Sequence, residues 1–359
     1  MYPAIHLNLP MLEHNARTLT TLCRSHGLEL MAVTKGVGAI PEVAKAFLAG
    51  GATALADSRL QNIQRLRSAG VECPLWLLRS PALSEAAACA ALATGSFNSQ
   101  WPVLERLNAE ASQRRLVHQV YLMVEMGDLR EGLLPQEAAS MYQACLQLPA
   151  IEVVGISANL ACFAGVKPTG DVMAELAALA RELQGSRRLK ISAGNSSALH
   201  LMAQGGWEGP WTSAMDHLRV GESLLFGWDV FTQEPLDGFS QDTCFLRAEV
   251  IEVEIKPSRP KGPRGSDAFG EIQHFPDRGL RRRALASVGK QDFGAGHLRP
   301  IQSGIEVVGA TSDHLVLDVE ENPEIEVGTM LDFTLDYGSL LALTTSRYVE
   351  VSFCGRGDQ

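Results

Sequence analysis

A lysine at position 35 closes the apolar run LELMAVTK, and Gly36 and Gly38 follow it closely. A lysine at the end of a buried strand either snorkels to solvent or is held in a pocket as an amine nucleophile. Further along come Arg130 in MGDLREG, Asn159 in ISANL, Asn195, Ser196 and Ser197 in GNSS, and Arg219 in LRVGES. An amine, two guanidinium groups and Gly/Ser-rich turns form a donor set with a definite use. The amine forms an imine with an aldehyde, while hydroxyls and backbone N–H groups in tight turns bind a phosphate. Together they suit a phosphorylated, aldehyde-bearing cofactor, provided that the fold brings them to one place.

The elements that would do so alternate along the chain. From residue 28 to about 227, apolar runs (LELMAVTK, TALADS, PLWLLRS, GSFNS, HQVYLMVEMG, IEVVGISANL, RLKISAGNS, LRVGESLLFG) are separated by helix-like segments, several opening on Pro, Ser or Asp and closing on Gly. Eight strands alternating with helices predict an α/β fold, a (β/α)8 barrel, whose active site lies at the C-terminal ends of its strands. A doubly wound open sheet is the alternative, but TKGVGAIPE is not the glycine fingerprint that such a sheet carries after its first strand. The lysine, arginines, asparagines and serines above all fall at strand ends on that one rim. After LLFGWDVF the texture becomes rich in Val, Ile, Thr and turn residues, which predicts a β domain. The expected division is therefore a barrel over residues 1–232 and a β domain over 233–359, with the first ten or so residues able to pair with the latter. The segment KPSRPKGPRGSDAFG reads as a loop.

Composition narrows the function. With 359 residues, 46% hydrophobic and 20% charged, the chain is that of a globular protein. A formal net charge of −10 argues against a general binder of nucleic acid or anionic membrane, whose phosphates it would repel. MYPAIHLNLP lacks the pattern of a signal peptide, and no apolar run is long enough to span a bilayer. The cysteines are odd in number with no CxxC pair, and the histidines show no HExxH spacing. A reduced, cytoplasmic, metal-free protein is the expectation.

At this point the sequence resembles the alanine racemase-like enzymes, fold type III users of pyridoxal 5'-phosphate, and within them the ornithine racemase-type branch. The stretches that carry the likeness are AVTKGVGAIPEVAKAFLAGG, ALADSRLQNIQRL, LMVEMGDLREG, GNSSALHL, LRVGESLLFG, KQDF, VVGATSDHLVLDV and YGSLLALTTSRYV, spread over essentially the whole chain. The resemblance implies a barrel, a C-terminal β domain, a free amino acid as substrate and a head-to-tail homodimer. In that dimer each subunit's β domain helps complete the other's site. It makes Lys35 the lysine that forms the imine, and puts Arg130 near the cofactor's phenolic oxygen and the substrate carboxylate. Ser196 and the backbone around Gly221 and Glu222 match phosphate-binding loops, and Tyr337 matches a phosphate-contacting tyrosine. Arg219 matches the arginine that faces the pyridine nitrogen. Always protonated, it donates to that nitrogen and keeps the ring a weak electron sink, which favours reprotonation at Cα. Glu222 competes for that place, but in an extended segment the two residues should point to opposite faces.

Inversion at Cα needs a base on each face. Lys35 would serve one. The turn that carries a tyrosine in alanine racemases, GYxDG, corresponds here to VGKQDFG, so Lys290 stands there, with Asp313, His314 and Asp267 as competitors. The tyrosine of KANAYGH is missing from KGVGAI, and Asn159 replaces a histidine beside the ring. Both changes argue against a strict alanine racemase. Asp267, Asp128 and Asp313 are candidates to receive a cationic side chain, such as that of ornithine or lysine. The expected activity is amino-acid racemisation by two bases. The rivals are a decarboxylase or aldolase on the same fold and a non-catalytic pyridoxal phosphate-binding homeostasis protein.

Overall fold

Strand β1 (Ala4–Asn8) leads into the helix Leu9–Ser25, and eight strands then follow: β2 (Glu29–Val33), β3 (Ala54–Asp57), β4 (Leu75–Leu77), β5 (Gly95–Asn98), β6 (His118–Val124), β7 (Ile151–Ala158), β8 (Lys190–Ser192) and β9 (His217–Val220). In this computed structural model, which describes residues 2–185 and 188–354, these eight close in sequence order into a barrel. Every pairing is parallel, and β9 closes on β2 with Met31 opposite Arg219. The (β/α)8 expectation holds, and all eight apolar runs are strands. They read as continuous apolar segments because side chains fill the barrel inside and helices cover it outside.

The interior is packed by Met31, Val33, Ala54, Ala56, Trp76, Phe97, Tyr121 and Met123. The Trp76, Phe97 and Tyr121 rings meet at centroid distances of 5.0 to 5.9 Å, and glycine makes room for them. A Cβ on Gly95 would meet the Trp76 ring at 2.5 Å, and one on Gly155 the Tyr121 ring at 2.7 Å. His217 lies edge-on to Tyr121 at 5.2 Å. Arg219, two residues further along β9, shares its face one layer nearer the C-terminal rim.

The chain divides into two compact units, one of Leu9–Thr243 and one made of Met1–Asn8 with Cys244–Gln359. The change of texture at residue 233 is therefore not the boundary of the first unit. Residues 233–243 belong with the barrel because Asn15, buried in the helix Leu9–Ser25, holds them there. Its Nδ2 donates to the Ser240 and Leu224 carbonyls at 2.9 and 3.1 Å, and its Oδ1 accepts from Ser240 N at 2.8 Å. Leu236 N bonds Gly227 O at 2.9 Å as well.

The second unit contains β10 (Cys244–Pro257), β11 (Leu280–Ala286), β12 (Leu298–Pro300), β13 (Glu306–Ala310), β14 (Leu315–Asp318), β15 (Met330–Leu335) and β16 (Glu350–Cys354). The long β10 changes partners midway. Before an irregularity between Val250 and Glu252 it pairs with β1 and β15, and from Val250 onward with β11, so one strand serves two parts of the sheet. β1 lies between β10 and β16, parallel to the latter. Among the described residues, no helix is long and apolar enough to cross a membrane.

Candidate active site at the barrel rim

Lys35 follows directly on β2 and its rim residue Thr34. Thr34 Oγ1 donates to Asp57 Oδ2 at 2.8 Å, and Asp57 Oδ1 accepts from Arg59 N and Asn62 Nδ2 at 3.0 and 2.9 Å. Burial pushes the Asp57 carboxyl up, against those hydrogen bonds. Lys35 opens a single 3-10 turn, Lys35–Val37, closed by Gly38 at φ +54° and by the buried Ala39 at the same φ. Arg65 Nη1 caps the Gly38 carbonyl at 3.0 Å. The lysine thus leaves a rigid turn, and among the described residues its amine has no carboxylate partner.

Arg219 is 4% exposed. Its Nη1 donates to Ser157 Oγ at 2.6 Å and to Ser192 Oγ, and its Nη2 to Ala158 O at 2.8 Å. Its guanidinium also lies 5.0 Å from the Phe97 ring centroid. Burial pulls its pKa down to about 10, which leaves it cationic at neutral pH. The two serines were not singled out in the sequence, although a signal exists. Ile-Ser-Ala occurs at 156–158 and again at 191–193, ending adjacent strands.

Next to them, Asn195 Oδ1 accepts from Ser197 N at 2.8 Å, while its Nδ2 donates to Asn159 Oδ1, Leu160 O and Cys162 Sγ at 3.1, 2.8 and 3.2 Å. Asn195 is therefore a clasp between the ends of β7 and β8. Ser196 does not cap its own helix; its hydroxyl faces the next loop, near Gly221 N at 3.3 Å and Ser223 N at 3.5 Å. Asn159 Nδ2 and Ser223 Oγ are buried with no partner among the described residues. Glu222 does not alternate with Arg219 along a strand as expected, since β9 ends at Val220 and Glu222 opens a short helix, Glu222–Phe226.

After β6 the chain makes a closed loop. Glu125 N bonds Leu133 O and Leu133 N bonds Met123 O, both at 2.8 Å, and the Glu125 carboxylate accepts from Gly127, Leu129 and Arg130 backbone N–H groups. Arg130 is paired through Nε and Nη2 with Glu131. Burial works against the Arg130 charge, but the Glu131 carboxylate more than offsets it and holds the pKa above its ordinary value. Asp128 is fully buried and accepts from Cys162, Phe163 and Ala164 N at 3.0 to 3.2 Å. It fixes the loop after β7, so the expectation that it receives a substrate side chain is corrected.

The remaining expected residues lie in the second unit. Lys290 N bonds Thr311 O at 2.8 Å; its Nζ is 3.5 Å from Glu271 Oε2 and 4.4 Å from the Phe269 ring centroid. Gln291 Nε2 donates to Asp313 Oδ1 at 2.9 Å. His314 closes the turn between β13 and β14, its N donating to Thr311 Oγ1 at 3.0 Å and its O accepting from Thr311 N at 2.8 Å. Lys290, Asp313 and His314 are thus gathered in one patch. Asp267 is spent within its own loop, accepting from Phe269 N and Glu271 N at 2.9 Å and Gln273 Nε2 at 3.2 Å. Those bonds, the one involving Glu271 foremost, hold its carboxyl below the usual range, which corrects its reading as a free receiver. Tyr337 begins the helix Tyr337–Leu343, capped by Asp336.

The fold and rim define a (β/α)8 protein carrying a lysine at the end of its first barrel strand, a buried arginine and a two-loop cradle, joined to a β unit. Comparison with known proteins specifies the family. Residues 7–228 match the family described as alanine racemase, N-terminal domain. The chain is 36% identical to the ornithine racemase of Acetoanaerobium sticklandii, over 98% of this chain and 99% of that protein. It is 34% identical to the lysine racemase of Thermotoga maritima, over 98% of each. Among solved structures, the alanine racemase of Streptomyces lavendulae aligns with a TM-score of 0.74 at 18% identity, covering 98% of this chain and 97% of the other. The D-threonine aldolase of Filomicrobium marinum aligns at 0.74 and 15% identity, over 96% and 88%. The chain belongs to the alanine racemase family.

Proposed function

We propose that the protein is an amino-acid racemase that uses pyridoxal phosphate and acts on a free amino acid with a cationic side chain, ornithine or lysine. Full-length likeness to an ornithine and a lysine racemase supports the activity and the substrate class. The rim residues fit the cofactor. An amine without a carboxylate partner, a hydroxyl facing two backbone N–H groups, and the orphaned buried Asn159 Nδ2 and Ser223 Oγ suit a phosphorylated aldehyde.

When bound, pyridoxal phosphate withdraws electrons from the substrate's Cα–H bond, so that the proton can be removed near neutral pH. Lys35 Nζ would hold the aldehyde end of the bound group and would take or return the proton at Cα on one face. Arg219, cationic despite its burial, would be the donor to the ring nitrogen and would disfavour a proton there. Ser196 Oγ and the N–H groups of Gly221 and Ser223 would hold the phosphate. The Asn195–Asn159 clasp keeps Ser196 in place. Arg130 binds the substrate carboxylate. For the opposite face, a partner subunit in a head-to-tail homodimer supplies Lys290, Asp313 or His314.

The observation that carries this reading is Arg219, a buried guanidinium anchored on two strand-end serines. The test is to incubate the purified holoenzyme with L-ornithine, L-lysine and L-alanine in D2O, then score D-isomer by chiral chromatography and Cα deuterium by mass spectrometry. D-isomer carrying Cα deuterium is expected for the diamino acids. Carbon dioxide or aldehyde release without D-isomer would replace this reading with a decarboxylase or aldolase. No turnover of any amino acid would replace it with a binding role.

A further inference from the structure

We propose that Glu131 receives the side-chain ammonium group of the substrate and so selects for cationic amino acids. The inference rests on the racemase reading above and adds the residue that sets its specificity. Its starting point is an ion pair that uses two adjacent residues, Arg130 and Glu131, against each other. The loop that carries them is anchored at both ends. Glu125 ties down Arg130 N, and Gly132 sits at φ +148°, where a Cβ would lie 2.4 Å from Glu125 N. Arg130 and Glu131 lie in the loop after β6, on the same C-terminal rim of the barrel at which β9 presents the buried Arg219.

Other carboxylates of the rim are committed. Asp128 is saturated by three backbone N–H groups, Glu125 by its own loop, and Asp57 by Thr34, Asn62 and Arg59 N. Asp229 accepts from Phe231 N at 2.8 Å and pairs with His200 at 2.7 Å. Glu131 differs in kind. Its partner is a guanidinium that itself has a substrate group to bind. An amino acid with a cationic side chain presents a carboxylate and an ammonium joined by a short methylene arm. It can therefore exchange one ion pair for two, its carboxylate taking Arg130 and its ammonium taking Glu131. The Arg130–Glu131 pair is partly exposed, about one third for each side chain, so separating it costs little. A neutral amino acid must separate the same pair and leaves Glu131 unmatched. Discrimination then has an attractive and a repulsive part in one residue.

The experiment compares kcat/KM for L-ornithine with that for L-norleucine, its uncharged isostere, in the wild-type holoenzyme, Glu131→Gln and Glu131→Asp. Releasing Arg130 affects both substrates, since both have a carboxylate, so the ratio isolates the side-chain contact. In Glu131→Gln the ornithine-to-norleucine ratio is expected to fall about tenfold or more, as the loss of a charged hydrogen-bond partner implies. Glu131→Asp should restore most of it. A ratio unchanged in Glu131→Gln would overturn the proposal while leaving racemisation intact, as would a wild type that does not prefer ornithine. If the wild type racemises neither substrate, the underlying racemase reading falls and this proposal with it. Should Glu131→Gln not fold, a Glu131→Asp variant with its ratio equal to that of Glu131→Lys would overturn it.

Discussion

Arg219 is held by side chains too small to attract notice in a sequence. Ser157 and Ser192 each accept a hydrogen bond from one guanidinium nitrogen, and both are fully buried. A hydrogen bond to a charged group contributes about 1.5–3 kcal/mol. Ser157→Ala and Ser192→Ala should therefore each lower kcat by about tenfold while moving KM for the amino acid much less, with Ser→Thr recovering activity. Steady-state kinetics on all four variants checks this, and a uniform loss of folded protein instead would assign the serines a structural role alone. Lysine and arginines are visible in sequence because charge at the end of an apolar run is conspicuous. Ser157 and Ser192 look like ordinary strand residues, since what distinguishes them is a neighbour 62 or 27 positions away along the chain, brought across by the barrel.

At the level of elements, periodicity sufficed for the barrel, because each strand is a short apolar run bounded by turn signals. Loops were harder. Asp128 and Asp267 looked available as charged loop residues, yet each is spent on backbone N–H groups of a turn, which composition does not reveal. The change of texture at 233 likewise reflects the absence of a helix rather than the start of a new unit. Asn15 accounts for the difference, and its removal is informative. Asn15→Ala leaves the Ser240 and Leu224 groups without their partner in a buried place, at a cost of about 1–3 kcal/mol. Limited proteolysis should then cut within residues 233–243 before the barrel unfolds, whereas the wild type should resist.

For the molecule as a whole, two buried histidines set the acid limit. Burial lowers His118 to about 4 and His217 to about 3, so both are neutral when folded. The unfolded chain binds protons at these positions below its ordinary histidine value of about 6.5, while the folded chain does not. Stability is thus intact above that value and falls as the pH drops toward 4, His118 alone accounting for about 3 kcal/mol at the lower end. Thermal melts between pH 7 and 4 should show the decline, and His118→Gln should flatten it. The proposed assembly makes a separate prediction. If the second base comes across a dimer, co-folding inactive Lys35→Ala with an inactive variant of that base should return about a quarter of wild-type activity, since half the dimers are hybrids with one complete site. Scanning Lys290, Asp313 and His314 this way identifies the base.

The placement of β1 has a consequence for how the chain is made. Ala4 pairs with Arg247 on one side and Glu350 on the other. During synthesis the first strand leaves the ribosome with neither neighbour in existence, while all eight barrel strands can assemble among themselves as they emerge. This strand must wait with both edges unmet until β10 has been translated, and with one edge unmet until β16 has followed. Pairings of such long sequence separation form slowly. Late docking of this strand is thus the expected rate-limiting event in maturation, and the interval before it is when a newly made chain is most exposed to pairing with the wrong neighbour.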